Sequence, residues 1–287
     1  DTGHVDSASS SCSSSPLPGP TVGGLDEAEY AHLDRYGFIV VAPEASRQGG
    51  REEEREARRS LKWLEMLGEV RAHPVSEWPA RHGKFTSRLA KGIPDCMRCQ
   101  VWPLLAGVSA DQPNPVGYRE LYLRISGYER QIDLDIERTL RDHVMFKIRF
   151  SQAQVSLFKM LVAYSNHDRV VGYCQGMSTV AAFLLLYFDE ELAFRVLVAV
   201  MEREAGDVRG LFVSGFPRLF EAFYVQDRLT RKYLPRLHRR LAVLGIPPSI
   251  YATKWYLTLF LGFPFHLATR IWDLFLCYGA DILVCVA

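Results

Sequence analysis

Two short stretches of this sequence combine residue types that serve phosphoryl chemistry. The first spans residues 132–138 and reads IDLDIER, with Asp135 three residues before Arg138. The second spans residues 173–177 and reads YCQGM, with Gln175 held between an aromatic residue and a glycine. We interpret the two stretches as one site that presents an arginine and a glutamine together.

The chemistry that suits this pair is the hydrolysis of GTP. A guanidinium donates paired hydrogen bonds to phosphate oxygens and neutralises their charge. A glutamine can orient an attacking water without acting as a base, and GTP hydrolysis is accelerated mostly by positioning and charge stabilisation. Asp135, one helical turn before Arg138, is expected to orient the guanidinium from the same face.

The spacing also allows plainer interpretations of both stretches. The pattern I-x-x-D-x-x-R is that of an i, i+3 ion pair on a helix, and Y-C-Q-G is that of a loop whose glutamine caps the next helix. The residues alone therefore leave a structural role open beside the catalytic one.

The composition is typical of a globular protein without a bulk charge. The chain has 287 residues, of which 48% are hydrophobic and 23% charged, and a formal net charge of +1. This balance gives no indication of nucleic-acid binding. The most apolar run, residues 177–188, is too short to span a bilayer. We expect a cytoplasmic protein without a transmembrane segment, with peripheral association with endomembranes left open.

The six cysteines indicate neither a disulfide framework nor a metal site. Cys96 and Cys99 form a lone C-x-x-C motif, and no further ligand pair lies nearby in the sequence. Cys174 has no histidine beside it in a recognisable nucleophile pair. We expect reduced thiols, and no metal bound by this chain.

The chain divides into three parts by composition. Residues 1–25 are rich in Ser, Pro and Gly and are expected to be a disordered leader. Residues 26–54 form an N-terminal extension with an apolar anchor at 36–41. Residues 55–287 are the expected helical domain. Because the sequence stops inside the apolar run 284–287, we expect the natural domain to continue beyond it.

The apolar residues recur at helical spacing, and no segment alternates with the period of a strand. The prediction is an all-α fold. Residues 127–132 are interpreted as a connector, and the arginine stretch as a polar, exposed segment. The predicted helices span 51–70, 95–106, 118–125, 151–168, 177–188, 190–204, 217–224, 225–244, 251–261 and 265–277, with a break of 225–244 near Pro235 left open.

The arginine and glutamine stretches, with two further segments, resemble the TBC-domain family of Rab GTPase-activating proteins. The marks of that family are an I-x-x-D-x-x-R arginine motif and a Y-x-Q-G glutamine motif, both present here in that order. Residues 91–105 and 254–273 also resemble family segments, so the likeness runs from about residue 55 to the end. Residues 138–143 and 172–178 are most similar to the RN-tre-like branch.

The resemblance implies a multi-helix domain in two helical subdomains, of which the C-terminal one is longer than the part present here. Arg138 would enter the nucleotide site of a GTP-bound Rab, and Gln175 would orient water in place of the Rab's own glutamine. The chain would bind no cofactor, because GTP and Mg²⁺ are carried by the GTPase, and it would regulate vesicle trafficking. The residues implied to support the two fingers are Asp135, Tyr173, Arg98 and Gly176.

One departure from the family and two rival hypotheses stay open at this point. Leu140 stands where the family has an aromatic residue, which changes the packing behind the arginine. The chain is alternatively a catalytically silent Rab-binding scaffold, or a helical protein with no link to GTPases. Arg141 and Arg149 are interpreted as solvated surface or partner contacts, and His143 as a satisfied loop histidine.

Overall fold

The computed structural model describes residues 33–40, 49–109, 117–203 and 207–287. Over these ranges the regular structure consists of helices, together with two isolated β-bridges. The all-α prediction is therefore confirmed. The expected disordered leader, 1–25, lies outside the described residues. None of the described helices combines the length and the apolar character needed to cross a bilayer.

Most helices begin and end near the positions that the sequence predicts. Ser151 caps its helix as expected, because its hydroxyl accepts a hydrogen bond from the backbone N–H of Gln154 at 3.3 Å. In chain order the helices are α1 (Gly49–Val70), α2 (Trp78–Arg81), α3 (Phe85–Lys91), α4 (Asp95–Leu105), α5 (Tyr118–Leu123), α6 (Glu129–Ile136), α7 (Gln152–His167), α8 (Met177–Leu185), α9 (Glu190–Glu202), α10 (Pro217–Tyr233), α11 (Pro235–Val243), α12 (Pro248–Tyr251), α13 (Thr253–Leu257), α14 (Phe265–Tyr278) and α15 (Asp281–Val286).

Helices α7 and α8 lie at the centre of the fold. Helix α8 is apolar on nearly every side, and all of its residues except Thr179 are buried. Helix α7 packs against α5, α6, α8 and α9. The indole of Trp102 on α4 lies 5.4 Å from the ring of Phe183 on α8 and 6.0 Å from that of Trp272 on α14. The glutamine stretch is therefore anchored to a helix of which eight of the nine residues are buried.

The arginine stretch is helical as far as Ile136, so the connector expected at 127–132 is wrong from residue 129 onward, and the segment expected to be exposed is exposed on only one side of the helix. Residues 129–136 form α6, and Asp135 is 1% exposed. The Glu129 carboxylate accepts a hydrogen bond from the backbone N–H of Ser126 at 2.8 Å, which is half of a capping box. Ile132 and Ile136, one turn apart, bury the apolar face of the helix.

Two further helix predictions need correction. Helix α10 continues through the expected boundary at 224/225 to Tyr233, because its buried positions recur at helical spacing. It ends at the break near Pro235 that the sequence left open, where the proline forces Leu234 out of helical geometry. The expected helix 251–261 is divided. Leu259 and Phe260 take left-handed backbone angles, with φ of 46° and 64°, while both side chains are fully buried.

Residues 33–40 form a small bridged turn, which we call the N-terminal hook. Its backbone pairs with the chain just after the arginine stretch: Ile39 N–H donates to the Asp142 carbonyl at 2.7 Å, and Val144 N–H donates to the Gly37 carbonyl at 3.0 Å. The ring of Phe38 lies 5.1 Å from that of Phe265 on α14. The hook therefore connects the segment after Arg138 to a distant helix.

Candidate functional site

The carboxylate of Asp135 joins the two stretches that the sequence singles out. One of its oxygens pairs with the guanidinium of Arg138 and accepts a weaker hydrogen bond from the Gln131 amide at 3.3 Å. The other accepts a hydrogen bond from the Tyr173 hydroxyl at 2.6 Å. Because Asp135 is buried, the arginine and the glutamine stretches share one fixed anion.

A second link joins the same two stretches one turn away. The hydroxyl of Thr139 donates to the Asp135 carbonyl at 2.7 Å and lies 2.9 Å from the hydroxyl oxygen of Ser178. Both side chains are buried. The residue after Arg138 is thus tied to the first turn of α8, which follows Gln175.

Tyr173 acts here as a permanent hydrogen-bond donor. Its side chain is 7% exposed. Burial and the neighbouring Asp135 carboxylate raise the pKa of its phenol well above the ordinary value. The phenol therefore stays protonated through the physiological range and can hold Asp135 at any pH at which the protein functions.

The glutamine lies on a turn that only a glycine can close. Gly176 has φ of +106°, and a Cβ at this position would collide with the carbonyl oxygen of Leu257. Gln175 itself is exposed. Close approach of the turn to the last residue of α13 therefore presents the carboxamide outward while its neighbours stay packed.

The turn before the glutamine stretch is organised by Asp168. Its carboxylate accepts hydrogen bonds from the backbone N–H groups of Val170 and Val171 at 3.1 and 3.2 Å. It also pairs with Arg209, and these contacts hold the pKa of Asp168 below its ordinary value. The chain is thereby set in a defined path from the end of α7 to Tyr173.

The guanidinium at the centre of the site is open to solvent. Arg138 is 58% exposed, whereas its partner Asp135 is 1% exposed. The fold therefore holds one end of the ion pair rigidly and presents the other end outward. Such a group can enter a site on another molecule while its orientation is set from below.

Two exposed apolar side chains lie on or beside α6, the helix that ends two residues before this arginine. Leu134, on α6, is 55% exposed, and Phe150 is 73% exposed. Phe150 lies beside α6 because Arg149 binds the Asp133 carboxylate at 2.8 Å and packs over the Phe150 ring at 4.5 Å. Arg149 is thus an ion-pair partner in this structure. Exposed apolar groups around a charged centre are typical of a protein-binding surface.

Arg98 lies in a different cluster from the other candidate residues. It is 3% exposed, and its Nε donates to Asp273 on α14 at 3.0 Å. Asp273 also accepts from the indole N–H of Trp102 at 2.9 Å. Over the described ranges no hydrogen bond or ion pair connects Arg98 with Arg138, Asp135 or Tyr173. Arg98 therefore joins α4 to α14 and could support the site only through the packing of the fold.

Two observations limit the chemistry of the site itself. Burial, followed by the charge of Asp135, raises the pKa of the Cys174 thiol, which keeps this thiol protonated at neutral pH. In the part of the chain that the structure describes, no three His, Cys, Asp or Glu side chains cluster as metal ligands would. What the site offers is an exposed guanidinium and an exposed carboxamide.

The contact between His143 and the N-terminal hook could not be predicted from the sequence. His143 is 3% exposed, its Nε2 lies 2.8 Å from the Tyr36 carbonyl, and its Nδ1 accepts the Met145 N–H at 3.2 Å. The neutral imidazole with its proton on Nε2 makes both hydrogen bonds, since Nε2 donates to a carbonyl and Nδ1 accepts from an N–H. The sequence marks 36–41 as apolar and His143 as satisfied, but contains no signal that the two meet.

Comparison with known proteins places this geometry in a family. Residues 95–287 match the Rab-GTPase-TBC domain. A TBC domain-containing protein of Schizosaccharomyces pombe is 38% identical over 87% of this chain and 60% of its own length. Carabin of Mus musculus is 33% identical over 97% of this chain and 60% of its own length. The chain therefore spans about three fifths of the length of these two relatives.

A solved structure gives the same result in three dimensions. The crystal structure of the Chlamydomonas flagellar RabGAP TBC domain matches this fold with a TM-score of 0.69 and 25% sequence identity. The match covers 88% of this chain and 84% of the other. The family match extends over more than half of the sequence and includes both the arginine and the glutamine stretches. This chain belongs to the Rab-GTPase-TBC domain family.

Proposed function

We propose that this chain accelerates GTP hydrolysis by a small Rab-type GTPase in its GTP-bound state, and so acts in vesicle trafficking. Arg138 would neutralise charge on the transferring phosphoryl group, and Gln175 would orient the attacking water. The observation that carries the proposal is the Asp135 carboxylate, which binds both Arg138 and the Tyr173 hydroxyl. That carboxylate makes the two stretches one preorganised unit.

The proposal assigns half of an active site to this chain and half to the GTPase. GTP and Mg²⁺ would come with the partner, so the chain would not hydrolyse GTP alone. The 58% exposure of Arg138 supports this division, because a finger must reach beyond its own protein. The exposed Leu134 on α6 and the exposed Phe150 next to that helix would provide apolar contact with the GTPase.

The rate effect follows from the nature of the two groups. An arginine supplied in trans contributes roughly 10³–10⁵ in rate, because it stabilises charge that develops only in the transition state. Bracing by Asp135 lowers the entropic cost of holding a long side chain in place. Arg138 and Gln175 should therefore affect turnover far more than affinity for the GTPase.

We also propose a cytoplasmic location and a place in the RN-tre-like branch. The five cysteines in the described part of the chain are unpaired, which supports a reducing compartment. The residues at 138–143 and 172–178 support the branch assignment. A phylogeny of the family that grouped these two segments with another branch would overturn it.

The test is single-turnover GTP hydrolysis with a panel of GTP-loaded Rabs. We expect the wild-type chain to stimulate at least one of them. We expect Arg138→Ala to lower the stimulated rate by about 10³-fold or more. Gln175→Ala should lower it by about 10²–10³-fold. Arg130→Ala, which removes an exposed arginine from the same helix as Asp135, is the matched control and should keep the rate.

Binding measured in parallel distinguishes the proposal from its main rival. Both finger variants should still bind the responsive Rab, because the apolar contacts stay. Stimulated hydrolysis that is unchanged in both variants would refute the proposal. A wild-type chain that binds GTP-loaded Rabs without stimulating any of them would instead establish a catalytically silent scaffold.

A further inference from the structure

A strongly basic groove lies between α1 and α3, and it shares no lining residue with the site around Arg138. Its volume is about 530 Å³, within the range of roughly 300–1,000 Å³ that is usual for small-molecule sites. Six of its eight lining residues are positively charged and none is negatively charged, although the whole chain has a net charge of only +1. The lining residues are Arg55, Arg59, Lys62, Trp63, Lys84, Ser87, Arg88 and Lys91.

The cations form two rows with the same spacing. Each row occupies positions i, i+4 and i+7, so its members share one face of a helix and span about 10 Å along it. Trp63, which is 2% exposed, lies between the rows at the base of the groove. The rows are Arg55, Arg59 and Lys62 on α1, and Lys84, Arg88 and Lys91 on α3 and the residue before it.

Two of the arginines hold the rows at a fixed separation. The Arg59 guanidinium on α1 donates to the Lys91 carbonyl at the end of α3 at 2.8 Å. In the reverse direction, Arg88 on α3 donates to the Lys62 carbonyl on α1. These crossing bonds use backbone acceptors, so the groove keeps its shape whatever the lysine side chains do.

The other four cations do not donate hydrogen bonds across the groove. Their side chains are exposed, and none of them forms an ion pair with any side chain that the structure describes. Glu56 on α1 binds Arg59 and the Asp95 N–H, and neither it nor any other acid of α1 lines the groove. The four are Arg55, Lys62, Lys84 and Lys91.

Like charges held together without a counter-charge repel one another, and a multivalent anion relieves that repulsion. We propose that this groove binds a compact polyphosphorylated small molecule, such as a phosphorylated inositol, either free or as a lipid headgroup. The rows line one volume of about 530 Å³ and are only about two helical turns long. An extended nucleic-acid strand would run past both ends of the rows.

The test uses calorimetric titration of inositol hexakisphosphate into the whole chain. The triple variant Lys62→Gln/Lys84→Gln/Lys91→Gln should bind this ligand about 10- to 100-fold more weakly, because it loses three charge-assisted contacts and keeps the backbone bonds that shape the groove. The control variant Arg231→Gln/Arg236→Gln/Arg240→Gln removes the same number of charges from exposed positions on α10 and α11. It should change the affinity by no more than about twofold.

Three outcomes overturn the proposal: the wild-type chain does not bind inositol hexakisphosphate, the two triple variants weaken binding equally, or a short oligonucleotide with the same number of phosphates binds as tightly.

A second experiment, with lipid vesicles, then identifies the source of the ligand. Binding to vesicles that contain phosphatidylinositol bisphosphate, above that to phosphatidylserine vesicles of equal surface charge, indicates a lipid headgroup. Binding to the free molecule with no such preference indicates a soluble ligand.

The groove and the proposed GTPase-activating site can fail separately. None of the three lysines touches the Arg138–Asp135–Tyr173 contacts, so the groove variant should keep its stimulation of Rab GTP hydrolysis in solution. A thermal melt that matches the wild type shows that the variant is folded.

Discussion

Replacing Arg138 by alanine should reduce stability as well as catalysis, and the two losses can be separated. The change leaves the Asp135 carboxylate, which is 1% exposed, with the Tyr173 hydroxyl and the Gln131 amide but without its cation. Removing one partner of a fully buried ion pair costs about 3–5 kcal/mol. Because Arg138 is 58% exposed, water screens the pair, and we expect a loss of about 1–2 kcal/mol in the free energy of unfolding.

A second variant identifies the cause of that loss. Asparagine at position 135 keeps the shape of the side chain and still accepts from Tyr173, but it carries no charge that needs a cation. The double variant Asp135→Asn/Arg138→Ala should therefore regain most of the lost stability, to within about 0.5 kcal/mol of wild type. Its stimulated GTP hydrolysis should stay as low as that of Arg138→Ala, because no guanidinium reaches the GTPase.

Urea unfolding followed by tryptophan fluorescence measures the free energy of unfolding, because Trp63, Trp78, Trp102 and Trp272 are all buried. Single-turnover hydrolysis measures the stimulated rate. An Arg138→Ala protein as stable as wild type would show that Asp135 does not depend on this arginine in the free protein. A double variant no more stable than the single one would show that the loss comes from side-chain packing. Either result would refute the reasoning from charge.

Four other changes test other parts of the structure. Tyr173→Phe removes the donor that holds the second oxygen of Asp135, so stimulated hydrolysis should fall by about 10-fold with unchanged Rab affinity; an unchanged rate in a turnover assay would show that Arg138 alone suffices to place Asp135. Gly176→Ala forces a Cβ against the Leu257 carbonyl at φ of +106° and should lower the free energy of unfolding, measured in urea, by about 2 kcal/mol or more. The control Gly83→Ala, which has open space around it, should leave the free energy of unfolding nearly unchanged. Leu140→Phe should raise the unfolding temperature in a thermal melt, because Leu140 lines a cavity of about 250 Å³ behind the arginine; a lower value would show that the larger ring does not fit there. Burial lowers the pKa of His143, although the Tyr36 carbonyl and Asp34 oppose that effect, so the unfolded chain takes up this proton at a higher pH than the folded one. The contribution of His143 to stability should therefore be complete above about pH 6.5 and decline below it. The variant His143→Gln should flatten that part of a pH series of unfolding curves.

Features that depend on residues close together in the sequence could be predicted from it. Helical periodicity located α7, α8 and α14, and the spacing of Asp135 and Arg138 indicated the ion pair that the structure contains. Helix α6 was missed although Ser126 and Glu129 have the spacing of a capping box, because the acidic residues around them resemble a loop.

The remaining features depend on residues that are far apart in the sequence. The break after α13 exists because burial of Leu259 and Phe260 outweighs their unfavourable backbone angles, and no local pattern announces that. Asp273 binds Arg98 across 175 positions, and Asp135 meets Tyr173 across 38. Periodicity and motif spacing describe neighbours along the chain, so they could mark these residues without showing their partners.

The N-terminal hook has a consequence for the order in which the molecule opens. Its hydrogen bonds bring residue 36 to residues that lie 59 and 107 positions further along the chain, so a large loop must close before they form. A segment of eight residues that is anchored to the rest of the molecule by a few such contacts should exchange its amide hydrogens before the central helices do. When it detaches, the backbone pairs at Asp142 and Val144 are lost, and the chain after Arg138 is freed while α7 and α8 stay folded. Proteolysis near the hook would thus produce a folded protein whose arginine is no longer held on that side.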